Sequence, residues 1–193
     1  GVAFCVRAFY GLMRDLIQGA WVRFAQKLNA NDLGNLAQRS LSMIAKHCDG
    51  AVPEFGDFTE NDQAILDAAA SLLPKARMAA DKQELHQILA ALIAVVSEAN
   101  RYFAGEEPWA LRKSDMARMQ TVLYVTAEIL RQVAILMQPF IPESAGKMLD
   151  ILGIGETERS FTALSKDFAL KPGRALPAPQ PIFPRFVESE SNA

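Results

Sequence analysis

The chain predicts an all-α protein: a helical bundle of about five helices, closed by an extended, proline-rich C-terminal strap. Three observations carry that expectation. Apolar residues recur at three- and four-residue spacing through two long stretches, 82–103 and 115–138, which is the period of a helix face. Half of the residues are hydrophobic while only 8% are aromatic, a balance that suits helices, and 193 residues suffice to bury one substantial core. Finally, Pro177, Pro179, Pro181 and Pro184 crowd a stretch that no helix or central strand accommodates.

Taken in order, residues 1–28 are atypical. Residues 2–9 fit a short strand, and 12–28 carry apolar positions at Leu12, Leu16, Ile17, Ala20, Phe24 and Leu28 that fit a helix. With Gly1 in place of an initiator Met, this segment reads as a truncated or altered join at the head of a fragment. The first well-defined helix covers 31–46. On a helical projection Leu33, Leu36, Ala37, Ser40, Leu41 and Ile44 share one side, while Asn31, Asn35, Arg39, Ser42 and Lys46 share the other. That polar side is unusual, because Asn is a poor helix former whose amide competes for the backbone. Asn35 and Arg39 stand at i and i+4, so an amide and a guanidinium project side by side with donors and an acceptor in fixed relation. Such a pair could read the edge of a planar polar ligand; a solvated face with an incidental Asn fits the helix equally well.

Gly50 and Pro53 stop that helix. Thr59 opens the second, with Asp62 as a weak capping-box partner and Pro74 as a kink or a split. The third, 82–103, buries a wide stripe from Leu85 to Phe103 and is ended by Gly105 and Pro108, leaving Trp109 in a connector or at a helix start. Ser114 caps the fourth, 115–138, which is apolar around most of its circumference and therefore belongs in the middle of the bundle. Residues 139–142 (Pro-Phe-Ile-Pro) break it, and a short fifth helix, 143–152, is stopped by Gly153. The domain organisation expected is thus 1–28 as the atypical segment, 29–154 as the bundle, and 155–193 as strap and tail, with Ile182, Phe183 and Phe186 lying on the bundle.

Composition narrows function. Lys and Arg number 20 against 22 Asp and Glu, giving a net charge of −2 and a pI near 5.8. A polyanion would therefore have to be gripped at a local site, without help from a basic surface. Cys5, Cys48, His47 and His86 form no recognised metal spacing, and His47-Cys48 reads as a helix-end pair. Two cysteines in this length fit a reducing cytoplasm, and the uncharged apolar run 85–97 is too short to cross a bilayer. No glycine-rich phosphate loop or nucleophile elbow occurs in the sequence.

The ordered set Asn31-Asp32-Leu33-Gly34-Asn35-Leu36 with Arg39, Gly50-x-Val52-Pro53, Ala99-Asn100-x-Tyr102, Pro108-Trp109-x-Leu111, Gln138-Pro139-Phe140-x-Pro142, Leu152-Gly153 and Ile182-Phe183-Pro184-Arg185 resembles the anticodon-binding helical domain of the methionyl-tRNA synthetase family, over about residues 29–187. The resemblance implies a partner, methionine-specific tRNA, whose CAU anticodon would be contacted by Asn35, Arg39 and Trp109, with Pro108 holding the Trp. It implies a parent enzyme that uses ATP and magnesium to attach methionine to tRNA in the cytoplasm. The family's HIGH and KMSKS signatures do not occur in this sequence, so no cofactor and no adenylation are expected of this chain by itself. Two other readings compete. One is the helical domain of another class I synthetase, which Asn35, Arg39 and Pro108-Trp109 argue against; the other is a protein-interaction bundle without nucleic-acid binding, which predicts an exposed apolar groove.

For Trp109 two fates are open from composition: burial between the first and fourth helices, or exposure as a platform for an unstacked base. Arg101, Arg112, Lys113 and Arg118 lie close to it in sequence and are expected to supply phosphate contacts.

Overall fold

The structure is a computed structural model that describes residues 32–178. The expectations for 1–28 and for Ile182, Phe183 and Phe186 lie outside the described residues. Helices α1 (Gly34–His47), α2 (Glu60–Ala70), α3 (Leu72–Asp81), α4 (Leu85–Glu106), α5 (Pro108–Ser114), α6 (Met116–Met137) and α7 (Pro142–Ile151) are followed by three single 3₁₀ turns, Glu156–Glu158, Phe161–Leu164 and Lys166–Phe168. The five helices expected from the sequence are all present. The second is divided in two, and α5 is a short added helix in the connector.

Helix α6 is the axis. From Met119 to Met137 nearly every residue except Gln120 is buried, and α1, α2, α4, α5 and α7 all pack on it. Its all-round apolarity is thus explained by neighbours on every side. Helix α4 turns Ile88, Leu92, Val95, Val96, Ala99 and Phe103 inward. By length and composition alone Leu85–Ser114 is apolar enough to cross a bilayer, but this inward stripe is that of a core helix.

The boundaries follow local chemistry. The break in the second helix falls at Ser71, three residues ahead of Pro74, because the proline ring cannot sit beside the Ala70 carbonyl or donate to it. Helix α3 ends with Gln83 in the left-handed region (φ 59°), where Gln83 N donates to Ala80 O and Glu84 N to Ala79 O. That stop delays α4 from the expected residue 82 to Leu85. Thr59 and Asp62 form a complete capping box. The cap of α6 is Asp115, whose carboxylate accepts from Arg118 N at 2.9 Å, one residue later than the expected Ser114.

The segment after α7 is tied back across the bundle. Gly153 takes φ 67°, which favours glycine, and a Cβ there would lie 3.3 Å from the Ala175 carbonyl, a tight approach. Within the expected strap, which opens on those 3₁₀ turns, residues 173–176 pair back on the bundle: Val52 N donates to Arg174 O, Gly173 N to Val52 O and Leu176 N to Gly50 O, around an antiparallel bridge between Ala51 and Ala175.

Candidate nucleic-acid interface

Helix α1 buries Leu36, Ala37, Ser40, Leu41 and Ile44, which leaves Asn35 and Arg39 exposed on one face, a turn apart. The start of the helix is fastened from α4, where the Asn100 amide donates to Asp32 O at 3.0 Å and to Val96 O at 3.0 Å. The face that carries the polar pair is therefore fixed at its base by a long-range hydrogen bond.

Trp109 reaches the same place by a tight turn. Glu107 adopts a left-handed conformation (φ 45°, ψ 56°), and Pro108 follows, buried, at the first position of α5, where its missing N–H costs nothing. The chain doubles back so that the Trp109 ring lies 6.0 Å from the ring of Phe103 on α4, tilted by 54°. The Arg39 guanidinium carbon stands 5.1 Å from the Trp109 ring centroid and 5.1 Å from that of Phe103. Trp109 is 39% exposed, so it is neither of the two fates in pure form: part of it rests on Phe103 and Arg39, and the rest faces outward. The packing it makes is with α4 and α1, and not in the groove between α1 and the helix now numbered α6 that the buried alternative called for.

Arg39, Trp109 and Pro108 are thus brought together, with Asn35 one turn away along α1. No acidic residue among those described forms an ion pair with Arg39. Phe103 is the member that sequence reasoning missed. It falls on the apolar stripe of α4 and reads there as one more core residue; the only hint was its place six residues before a Trp across a Gly-x-x-Pro turn.

The flanking cations separate into two kinds. Arg112 and Lys113 are exposed on the last turn of α5, and Arg101 is exposed beside Glu98 at 3.7 Å. Arg118, expected as a phosphate contact, is instead consumed internally. It chelates the fully buried Asp62 with both terminal nitrogens and also donates to Glu106 Oε2 at 2.7 Å, while Tyr102 Oη donates to Asp62 Oδ1 at 2.6 Å. A buried carboxylate needs such partners, and that need takes Arg118 away from the surface. Burial pushes the Asp62 carboxyl up, but hydrogen bonds from Arg118, Tyr102 and the Thr59 backbone outweigh it and hold the group below its usual range.

An exposed base-sized aromatic, a planar cation against it and an amide on the same face form a set suited to a splayed nucleobase. The family described as the anticodon binding domain of methionyl tRNA ligase matches residues 52–193. A methionine–tRNA ligase of Brucella suis is 63% identical over 161 residues, covering 83% of this chain and 31% of that protein. One from Rhizobium meliloti is 58% identical over 84% of this chain and 31% of its own length. Mycobacterium tuberculosis methionyl-tRNA synthetase in complex with methionyl-adenylate superposes with a TM-score of 0.81 at 49% identity, over 85% of this chain and 33% of that chain. This chain therefore spans about a third of the length of these relatives, and it belongs to the anticodon-binding domain family of the methionyl-tRNA ligases.

Proposed function

We propose that the chain recognises the CAU anticodon of methionine-specific tRNA through Asn35, Arg39 and Trp109, with Pro108 setting the turn that presents the indole. The observation that carries this reading is the meeting of Arg39 and Trp109, from two separate helices, at 5.1 Å on an exposed face. In this reading the first anticodon base stacks on Trp109. Arg39 donates to the acceptors of the cytosine pairing edge, and Asn35, which both donates and accepts, completes the pattern that uracil would invert. Arg112 and Lys113 hold backbone phosphates, which makes binding salt-dependent despite the acidic pI. The parent protein, a cytoplasmic methionine–tRNA ligase using ATP and magnesium, would carry the chemistry elsewhere in its length. Residues 29–154 serve as the reading bundle, and 155–193 as the strap that completes it.

The test is titration of the purified chain with anticodon-stem hairpins differing only in the loop. The CAU hairpin is expected to bind more tightly than the UAU hairpin, with affinity falling as salt rises. Equal affinity for all loops, or none, would overturn the reading.

A further inference from the structure

The ring of Phe103 is fully buried, yet it does something that its aliphatic neighbours on α4 cannot do. It lies on the inner side of the Arg39 guanidinium, 5.1 Å from centroid to carbon, while Trp109 lies at the same distance on a ring plane inclined by 54° to it. A guanidinium set against two aromatic rings has fewer orientations open to it, and among the described residues no ion pair draws Arg39 away. An unrestrained Arg on an exposed helix face would keep many rotamers and could re-aim its donors at whatever base arrived.

We propose that Phe103 is a positioning residue for anticodon discrimination: it fixes the orientation of Arg39 and Trp109 together, so that Arg39 presents its donors to cytosine and cannot turn to suit uracil. This inference rests on the anticodon reading above and names the side chain that gives that reading its selectivity. A specificity gap depends on how poorly the site adapts to the wrong base as much as on contacts to the right one. Phe103 supplies that rigidity from beneath, without touching the nucleotide. Its position is itself determined by the core. Phe103 sits one turn before the left-handed Glu107, and the Arg118–Glu106 ion pair at 2.7 Å ties that end of α4 to α6.

Two variants separate the ring's role from its bulk. Phe103→Leu keeps an apolar core residue and removes the aromatic face. Pentafluorophenylalanine at position 103 keeps nearly the same shape and reverses the charge distribution of the ring face, so it weakens the hold on a cation with little change in packing. Three readouts apply to the full chain. By NMR, the ring-current shift of the Arg39 side chain, identified by comparison with Arg39→Ala, is expected to diminish in Phe103→Leu. In hairpin titrations both variants are expected to lose about tenfold in the ratio of CAU to UAU affinity, the size of a well-formed base contact. In the Arg39→Ala background the same changes at position 103 are expected to leave that ratio unaltered, because the residue acts through Arg39. Wild-type discrimination in the fluorinated variant, or the same loss with and without Arg39, would overturn the role of Phe103 while the anticodon reading stood. A wild-type chain that binds no hairpin would overturn both. If Phe103→Leu does not fold, the fluorinated variant decides the matter.

Discussion

Arg39 sets its guanidinium carbon 5.1 Å from two ring centroids and carries forked donors, and that separates it from a lysine. Arg39→Lys keeps the positive charge but loses both the forked donors and the guanidinium set against Phe103 and Trp109. The expected outcome is a loss of about 1 to 3 kcal/mol in CAU hairpin binding together with relaxed discrimination against UAU, measured by titration at fixed salt. At Trp109, truncation to Ala is expected to cost about 1 to 3 kcal/mol of hairpin binding while moving the melting temperature little, since much of the ring is exposed; Trp109→Phe should keep part of the binding. Unfolding of Trp109→Ala would mean that the ring is core. Cys48 offers a different check. Burial and the neighbouring Asp49 push its thiol up to about 11, so it is expected to alkylate slowly at neutral pH, as read by mass mapping of its peptide. At this scale the sequence exposes residues whose type is odd for their place, such as Asn35 in a helix or Trp109 after Pro108. It hides Phe103, because a ring that supports an exposed cation and a ring that only fills a core have the same pattern.

Helices were readable where the pattern was long and the ends had strong chemistry. The α6 stripe and the Thr59–Asp62 box belong to that class. The ends that moved are those set by weak or competing signals. Gln83 takes a left-handed conformation without being Gly or Asn, which no propensity announces. Ser114 is still the last residue of α5, so the cap falls to its neighbour Asp115, whose carboxylate accepts from Arg118 N. Asp115→Ala is accordingly expected to cost about 1 kcal/mol by shifting the denaturant midpoint at constant m, whereas Ser114→Ala should cost little. Asp62 shows why Arg118 could not be assigned from position. The carboxylate caps its own helix backbone, but it is also buried between α2, α4 and α6, and only the fold reveals that a cation must come to it. Its depressed pKa gives a pH dependence. The stabilisation is fully present above the carboxylate's ordinary value of about 4 and is lost as pH falls through the lower folded value. The melting temperature of the wild-type chain is therefore expected to fall on acidification below that range more steeply than that of Asp62→Asn.

Across the described molecule, residues 152–178 beyond α7 have little regular structure and are held by polar contacts to the axial helix. Arg131 is 1% exposed on α6, and its three nitrogens are all used: two on Glu128, at 2.9 and 2.6 Å, and one on the Ala163 carbonyl at 2.6 Å. Glu128 in turn accepts from Leu170 N at 3.0 Å and from the Gln132 amide at 2.9 Å, and Tyr124 Oη donates to Leu170 O at 3.0 Å. A buried ion pair gains little over an apolar pair of equal volume, because each charge must first lose its water. Here it also satisfies backbone groups at 163 and 170 that would otherwise be buried unpaired, so it specifies where the segment lies. The two roles predict different outcomes for single and double replacements. Arg131→Met leaves Glu128 buried without its cation and the Ala163 carbonyl without its donor, and is expected to cost about 3 to 5 kcal/mol. Adding Glu128→Leu removes the stranded charge, so the double variant is expected to recover part of that loss in the denaturant midpoint. It should not recover the slow amide exchange of Leu170, whose N–H acceptor is gone. A double variant as unstable as Arg131→Met would mean that the pair is held together by its own attraction. One with full protection at Leu170 would mean that the segment is held by its apolar contacts alone.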